Sequence, residues 1–195
     1  MRARSTEQSG PRQAAVSWLE DKGHYDFLVQ ALTQARVSVW IGTANLKDVR
    51  MEAPIGSVAR ARKRFVSVAD RFADLVGAGV ELRVLHASEP SGPFLESLAR
   101  RPALARAHEH LRRCPRVHLK LIVVDGTALY LGSANFTGAG FGAKGEGRRN
   151  FELGITTTDH VMVDAAQRRF DRIWTGRECA GCRVRVHCPA PLDQL

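Results

Sequence analysis

Val117-His118-Leu119-Lys120-Leu121-Ile122-Val123-Val124-Asp125-Gly126-Thr127-Ala128-Leu129-Tyr130-Leu131-Gly132-Ser133-Ala134-Asn135 is the stretch whose reading decides the fold. Leu121 to Val124 is an apolar run, Asp125-Gly126 is a turn signal, and Ala128 to Leu131 is a second apolar run. That order predicts a β-hairpin. Side chains at i and i+2 share one face of a strand, so His118 and Lys120 should project together. Ser133 and Asn135 leave the second strand with the same spacing. Two such pairs on paired strands make a polar patch that a buried hairpin does not need for its own stability.

The patch suits attack on phosphorus. A neutral imidazole can form a covalent phosphohistidine, with Lys120 balancing the phosphoryl charge. Ser133 and Asn135 can donate to non-bridging oxygens as charge develops on them. No metal enters this scheme, but a second acid must protonate the leaving oxygen, and a second histidine is the usual group. Taken alone, His118 and Lys120 would also fit a strand-end histidine and a lysine whose stem lies along apolar surface. The further residues at fixed offsets favour the chemical reading.

His118, Lys120, Asp125, Gly132, Ser133 and Asn135 match H-x-K-x4-D-x6-G-S-x-N at every offset. The chain in this respect resembles the phospholipase D superfamily, over residues 24–175. The resemblance implies an α/β fold, a mixed β-sheet flanked by helices, and this chain carries one motif. It implies His118 as nucleophile, and Glu152 of Asn150-Phe151-Glu152 as the carboxylate that orients it. Asp125 reads better as a turn-fixing residue than as a participant in the chemistry.

Members of that superfamily usually bring two such motifs face to face, so that two histidines divide the nucleophile and acid roles. None of the other histidines, at 24, 86, 108, 110, 160 and 187, is followed by lysine at i+2. A chain of 195 residues also has no room for a second copy of the domain. The expectation is a homodimer with one site on the two-fold axis.

Charge narrows the substrate. The formal net charge is +9, and the basic residues are 24 Arg against 5 Lys. Arg presents a planar fork suited to phosphate oxygens, and clustered cations carry the salt-sensitive part of nucleic-acid affinity. Clusters occur at Arg60 to Arg64, Arg112-Arg113, Arg148-Arg149 and Arg183 to Arg185. Arg148 and Arg149, just before Glu152, are the candidate substrate-binding pair. Together these point to a nuclease acting on DNA or RNA. A phospholipase or phosphatidyltransferase is the alternative enzyme, and a nucleic-acid-binding module that does not cut is the alternative of another class.

Three segments are expected: a flexible basic arm over 1–23, a catalytic domain over 24–175 and a cysteine-rich tail over 176–195. No window is apolar for long enough to cross a membrane. Met1 to Gln13 has no apolar core, so it does not read as a secretory signal, and a cytoplasmic location is expected. Within the domain, helical spacing runs from Tyr25 to Ala35, with Phe27, Leu28, Ala31 and Leu32 on one face. Val37 to Ala44 reads as a buried strand, Leu46 to Ala59 as a loop, Phe65 to Ala78 as an amphipathic helix and Val80 to His86 as a strand. Phe94 to Arg113 reads as a helix broken at Pro102, a solvated insertion or a lid. His108 and His110 do not face each other there and make no metal pair. Gly138 to Gly147 reads as a mobile loop gating the substrate. Val161 to Trp174 is a closing helix that packs Val161, Ala165, Phe170 and Trp174.

Four cysteines form a second signal. Cys179, Cys182 and Cys188 are spaced C-x2-C-x5-C, and Cys114 lies four residues before His118. Thiols at this density suggest a structural metal site. The spacing is similar to the iron–sulfur staple of certain DNA-processing nucleases. Zinc is the alternative, with His187 able to replace a cysteine.

Overall fold

The structure, a computed structural model, describes residues 13–53, 55–62 and 64–194. In chain order these form β1 (Ser17–Glu20), α1 (Lys22–Gln34), β2 (Ser38–Thr43), β3 (Arg50–Glu52), α2 (Val58–Ala61), β4 (Phe65–Ser67), α3 (Val68–Gly77) and β5 (Glu81–His86). There follow α4 (Gly92–Ala99), α5 (Ala107–His110), β6 (Leu111–Arg113), β7 (Leu121–Val124), β8 (Ala128–Gly132), β9 (Leu153–Thr157) and α6 (His160–Trp174).

The apolar run Leu121–Val124 is uninterrupted because β7 is covered on both faces. Ile122 and Val124 point into one core with Leu28, Phe72 and Phe94 of α1, α3 and α4. Leu121 and Val123 point into a second core with Val163, Phe170 and Trp174 of α6. The sheet is mixed, with order β1-β9-β8-β7-β2-β5-β6. The β2–β5 and β5–β6 pairs are parallel, and the others are antiparallel. The predicted hairpin is present, with Ile122 opposite Tyr130 and Val123 opposite Leu129. Its turn residues Asp125 and Gly126 have φ of 52° and 64°, the mirror-image geometry that tight hairpins favour and that Asp and Gly tolerate.

Both edges of the sheet differ from expectation. Residues 17–23, expected in a flexible arm, include edge strand β1, which pairs with β9 from Ser17↔Thr156 to Glu20↔Leu153. The rest of that arm, residues 1–12, lies outside the described residues. At the other edge, the segment expected to be a broken helix ends as β6, with Arg112 opposite Leu85. Strand pairing here overrides helical spacing. Leu46 to Ala59 contains β3, which pairs with β4 in a separate ribbon. The helix expected from Phe65 therefore begins at Val68. Its start is set by a capping box: Ala69 N donates to Ser67 Oγ (3.1 Å) and Ser67 N to Asp70 Oδ2 (2.9 Å). In α6 the buried residues are Val163, Phe170, Ile173 and Trp174, while Val161 is partly covered and Ala165 is exposed.

Candidate active site

Antiparallel pairing brings the ends of several strands to one edge of the sheet. Leu121 at the start of β7 lies opposite Gly42 near the end of β2, and Gly132 at the end of β8 lies opposite Gly154 near the start of β9. The segments before β7, after β8 and before β9 thus emerge together. His118 and Lys120 lie just outside the ladder, and the Gly132 amide holds the segment by donating to the Lys120 carbonyl (3.1 Å). The i, i+2 expectation for this pair matches the geometry: Lys120 Nζ stands 3.2 Å from both ring nitrogens of His118. An ammonium has only donors to offer, so a ring nitrogen bonded to it presents a lone pair. Partial burial lowers the Lys120 pKa from its ordinary value, and the Glu152 charge acts the other way. His118 itself is exposed.

Ser133 and Asn135 occupy the other side of the rim. Ser133 Oγ donates to Glu152 Oε2 and accepts from Leu153 N (3.1 Å), while Ser133 N donates to the Leu153 carbonyl (2.9 Å). Asn150 Nδ2 donates to Glu152 Oε1 (3.1 Å). Within one chain, then, the Glu152 carboxylate meets Ser133 and Asn150, while the ring contact of His118 is Lys120. Asn135 Oδ1 accepts from Asn45 N (3.3 Å) at the end of β2. With Oδ1 so placed, Nδ2 is the Asn135 atom suited to donate to a ligand. Asp125 sits at the far end of the hairpin and accepts from Arg36 N, Val37 N and Ser38 N (2.8–3.1 Å). Burial works to raise its pKa, yet these amide bonds hold the carboxyl below its usual range. Its part is to lock the turn to the start of β2.

A buried network beneath the rim has no motif in the sequence. His24 of α1 is fully buried. Its Nε2 is 3.2 Å from the Glu152 carbonyl and its Nδ1 is 2.9 Å from Tyr130 Oη. A carbonyl only accepts, so Nε2 carries the proton and Nδ1 accepts from the tyrosine hydroxyl. Burial, aided by the Glu152 charge, raises the Tyr130 pKa, so the phenol stays a donor. Gly132 is required here, since a Cβ would come within 2.4 Å of Tyr130 Oη. In the sequence, the available signal is a histidine in helical register with the apolar face of Phe27, Leu28, Ala31 and Leu32.

The basic candidates separate. Arg148 is exposed at the rim loop, and Arg149 Nε donates to the Lys144 carbonyl (2.8 Å). Arg112 stacks 4.4 Å above the Trp174 ring and donates to its carbonyl (2.7 Å), so it serves the fold. The glycine-rich loop is anchored by Phe141, which is buried between Tyr130 and Phe136. That anchorage speaks against a freely mobile gate.

Cys114, Cys179, Cys182 and Cys188 line one cavity of about 60 Å³ behind the His118 segment. All four are free and partly exposed. Burial raises the Cys114 pKa, whereas a hydrogen bond with Arg116 lowers that of Cys182. Among the described residues, no three His, Cys, Asp or Glu side chains are already drawn together as a closed metal-ligand set.

Known proteins bear out the architecture. The fold matches NucT from Helicobacter pylori with a TM-score of 0.55 at 14% identity, covering 81% of this chain and 94% of that one. It also matches Nuc from Salmonella typhimurium, a phospholipase D family member, with a TM-score of 0.54 at 15% identity, covering 83% and 95%. No curated protein matches the chain. The family model described as "Cardiolipin synthase, PLD-like domain" matches residues 28–174. That span holds every residue of the motif around His118, and the chain belongs to the phospholipase D superfamily.

Proposed function

We propose that the chain is a metal-independent nuclease that cleaves DNA or RNA through a phosphohistidine at His118, in a site completed by a second copy. The observation that carries this is the His118–Lys120 pair, exposed on the rim that also presents Ser133, Asn135 and Glu152. A His118 nitrogen attacks phosphorus, the P–N bond forms, and the P–O bond to the leaving strand breaks. The partner subunit's His118 protonates that oxygen and then takes a proton from the water that hydrolyses the P–N bond. Lys120 offsets the phosphoryl charge, and Ser133 and Asn135 donate to its oxygens. Glu152 anchors Ser133 from the same chain, and its role in this scheme is to orient the imidazole of the partner subunit's His118.

A nucleic-acid substrate is supported by the Arg-rich charge of +9 and by the rim itself. Phe151 is fully exposed beside Glu152 and close in sequence to the exposed Arg148, a combination suited to base stacking and phosphate contact. Trp18 (60% exposed) and Leu153 (52%) lie further along the edge formed by β1 and β9, and these two are the apolar residues that a second copy would cover. Phosphatidyl transfer is the second reading, favoured by the description of the family model. No helix among the described residues is long and apolar enough to cross a membrane.

The test is incubation with plasmid and with labelled single strands in EDTA. Cleavage is expected, reduced by at least roughly a thousandfold in His118→Ala. Retained binding without cleavage would favour the module that does not cut. Release of a lipid headgroup from phospholipid vesicles would favour the transferase.

A further inference from the structure

We propose that Cys114, Cys179, Cys182 and Cys188 form a four-thiolate metal centre that ties the C-terminal tail to the segment leading into the catalytic strand. The proposal does not depend on the nuclease reading.

Two remote parts of the chain converge at this point. Cys114 directly follows β6, and its amide is fixed on the His86 carbonyl (2.9 Å) at the end of β5. The other three cysteines come from the tail beyond α6, yet all four line the same cavity. Successive turns bring the tail thiols round: Cys182 N donates to Cys179 O, Arg185 N to Cys182 O and Cys188 N to Arg185 O, each at 3.1 Å. Soft sulfur donors, four in number, with two of them in a C-x2-C turn, are the set that zinc and iron–sulfur clusters select.

Among the described residues, apolar burial attaches the tail only weakly. Between α6 and residue 194 it consists of turns and two short 3-10 segments, and Leu192 alone among its large apolar side chains is buried. A segment of this length that orders with so little apolar burial needs another link to offset its entropy. The surrounding charge fits as well. A four-thiolate centre is anionic, and Arg116, Arg169 and Arg185 line the cavity. Glu178 is the acidic group in that lining, and it is engaged by Arg169 and Arg172. On binding, each thiol gives its proton to solvent as its sulfur–metal bond forms, and the sulfurs now spread around the cavity close into one ligand set. Because Val117 lines the same cavity one residue before His118, the centre would brace the nucleophile's segment without entering the chemistry.

The experiment purifies the full chain under reducing, chelator-free conditions and measures zinc, iron, acid-labile sulfide and the visible spectrum. The apoprotein is then offered zinc alone, or iron with sulfide. About one zinc per chain identifies a zinc site. Iron with matching sulfide and a brown chromophore identifies a cluster. Cys182→Ser and Cys188→Ser should each weaken metal retention by roughly tenfold or more, while His118→Ala retains it in full. In the wild type the four thiols should resist a thiol reagent until the metal is removed, a readout that survives misfolding of the variants. A chain that takes up neither metal, or whose serine variants keep the full complement, overturns the proposal. So does recovery of the four cysteines as two disulfides without metal.

Discussion

Asp125 and Lys120 are both charged residues of the motif, and their surroundings give them different work. Asp125 accepts from three consecutive amides, so Asp125→Ala should cost roughly 3 kcal/mol by leaving those donors without their acceptor. Asp125→Asn keeps an acceptor and tolerates the positive φ of 52°, and should cost less. Because the folded pKa lies below the ordinary 3.8, the charge-dependent part of this stability is present above that pH. It is lost as pH falls through the folded value. Denaturant midpoints across an acid series check this: the gap between wild type and Asn variant should close in acid, and a constant gap would refute it. For Lys120, burial lowers the pKa below 10.5, so the ammonium is lost earlier than for a free lysine. The alkaline limb of kcat/KM should fall below that pH and move upward in Lys120→Arg. An unmoved limb would show that another group sets it.

At the scale of elements, α1 supports the site from beneath. His24 links Tyr130 of β8 to the backbone of Glu152 at the start of β9. His24→Leu strands a buried phenol and should destabilise by roughly 2 kcal/mol. It should also lower kcat more than KM, because the Glu152 carboxylate shifts. Adding Tyr130→Phe should restore part of the stability while leaving kcat low. A double-mutant cycle with no coupling would remove the network from the account. In the tail, Leu192 is buried at 3% exposure against the core under α6, so Leu192→Ala should cost about 3 kcal/mol in thermal or chemical unfolding.

For the whole molecule, the proposed mechanism uses two His118 groups where each chain carries one, so it requires assembly. Light scattering coupled to gel filtration should show that cleavage travels with a dimer. Leu153→Lys, which places a charge on the exposed rim, should shift the species to monomer and reduce cleavage while circular dichroism stays unchanged. An active monomer would sink the shared site. If the Arg-rich surface carries substrate affinity, log K should fall linearly with log salt, at a slope of about −0.9 for each phosphate neutralised on duplex DNA. Arg148→Ala should flatten that slope by about one unit.

By itself the sequence determined the hairpin, the mixed sheet flanked by helices, and the cluster around His118. The hairpin and the cluster depend on residues within a few positions of one another, where strand periodicity and turn chemistry act directly, and the sheet followed from the family that the motif resembles. The tertiary structure decided what depends on contacts between distant segments. It paired Ser17–Glu20 with β9 and Leu111–Arg113 with β5, because unpaired sheet edges recruit strands whatever their local propensity. It gave Arg112 to Trp174 instead of to solvent. It set Glu152 on Ser133 and buried His24 beneath it, and it gathered Cys114 and the tail cysteines around one cavity. Apart from the cysteine set, which the spacing already suggested, none of these follows from spacing along the chain, because each depends on contacts between segments that only the assembled sheet brings together.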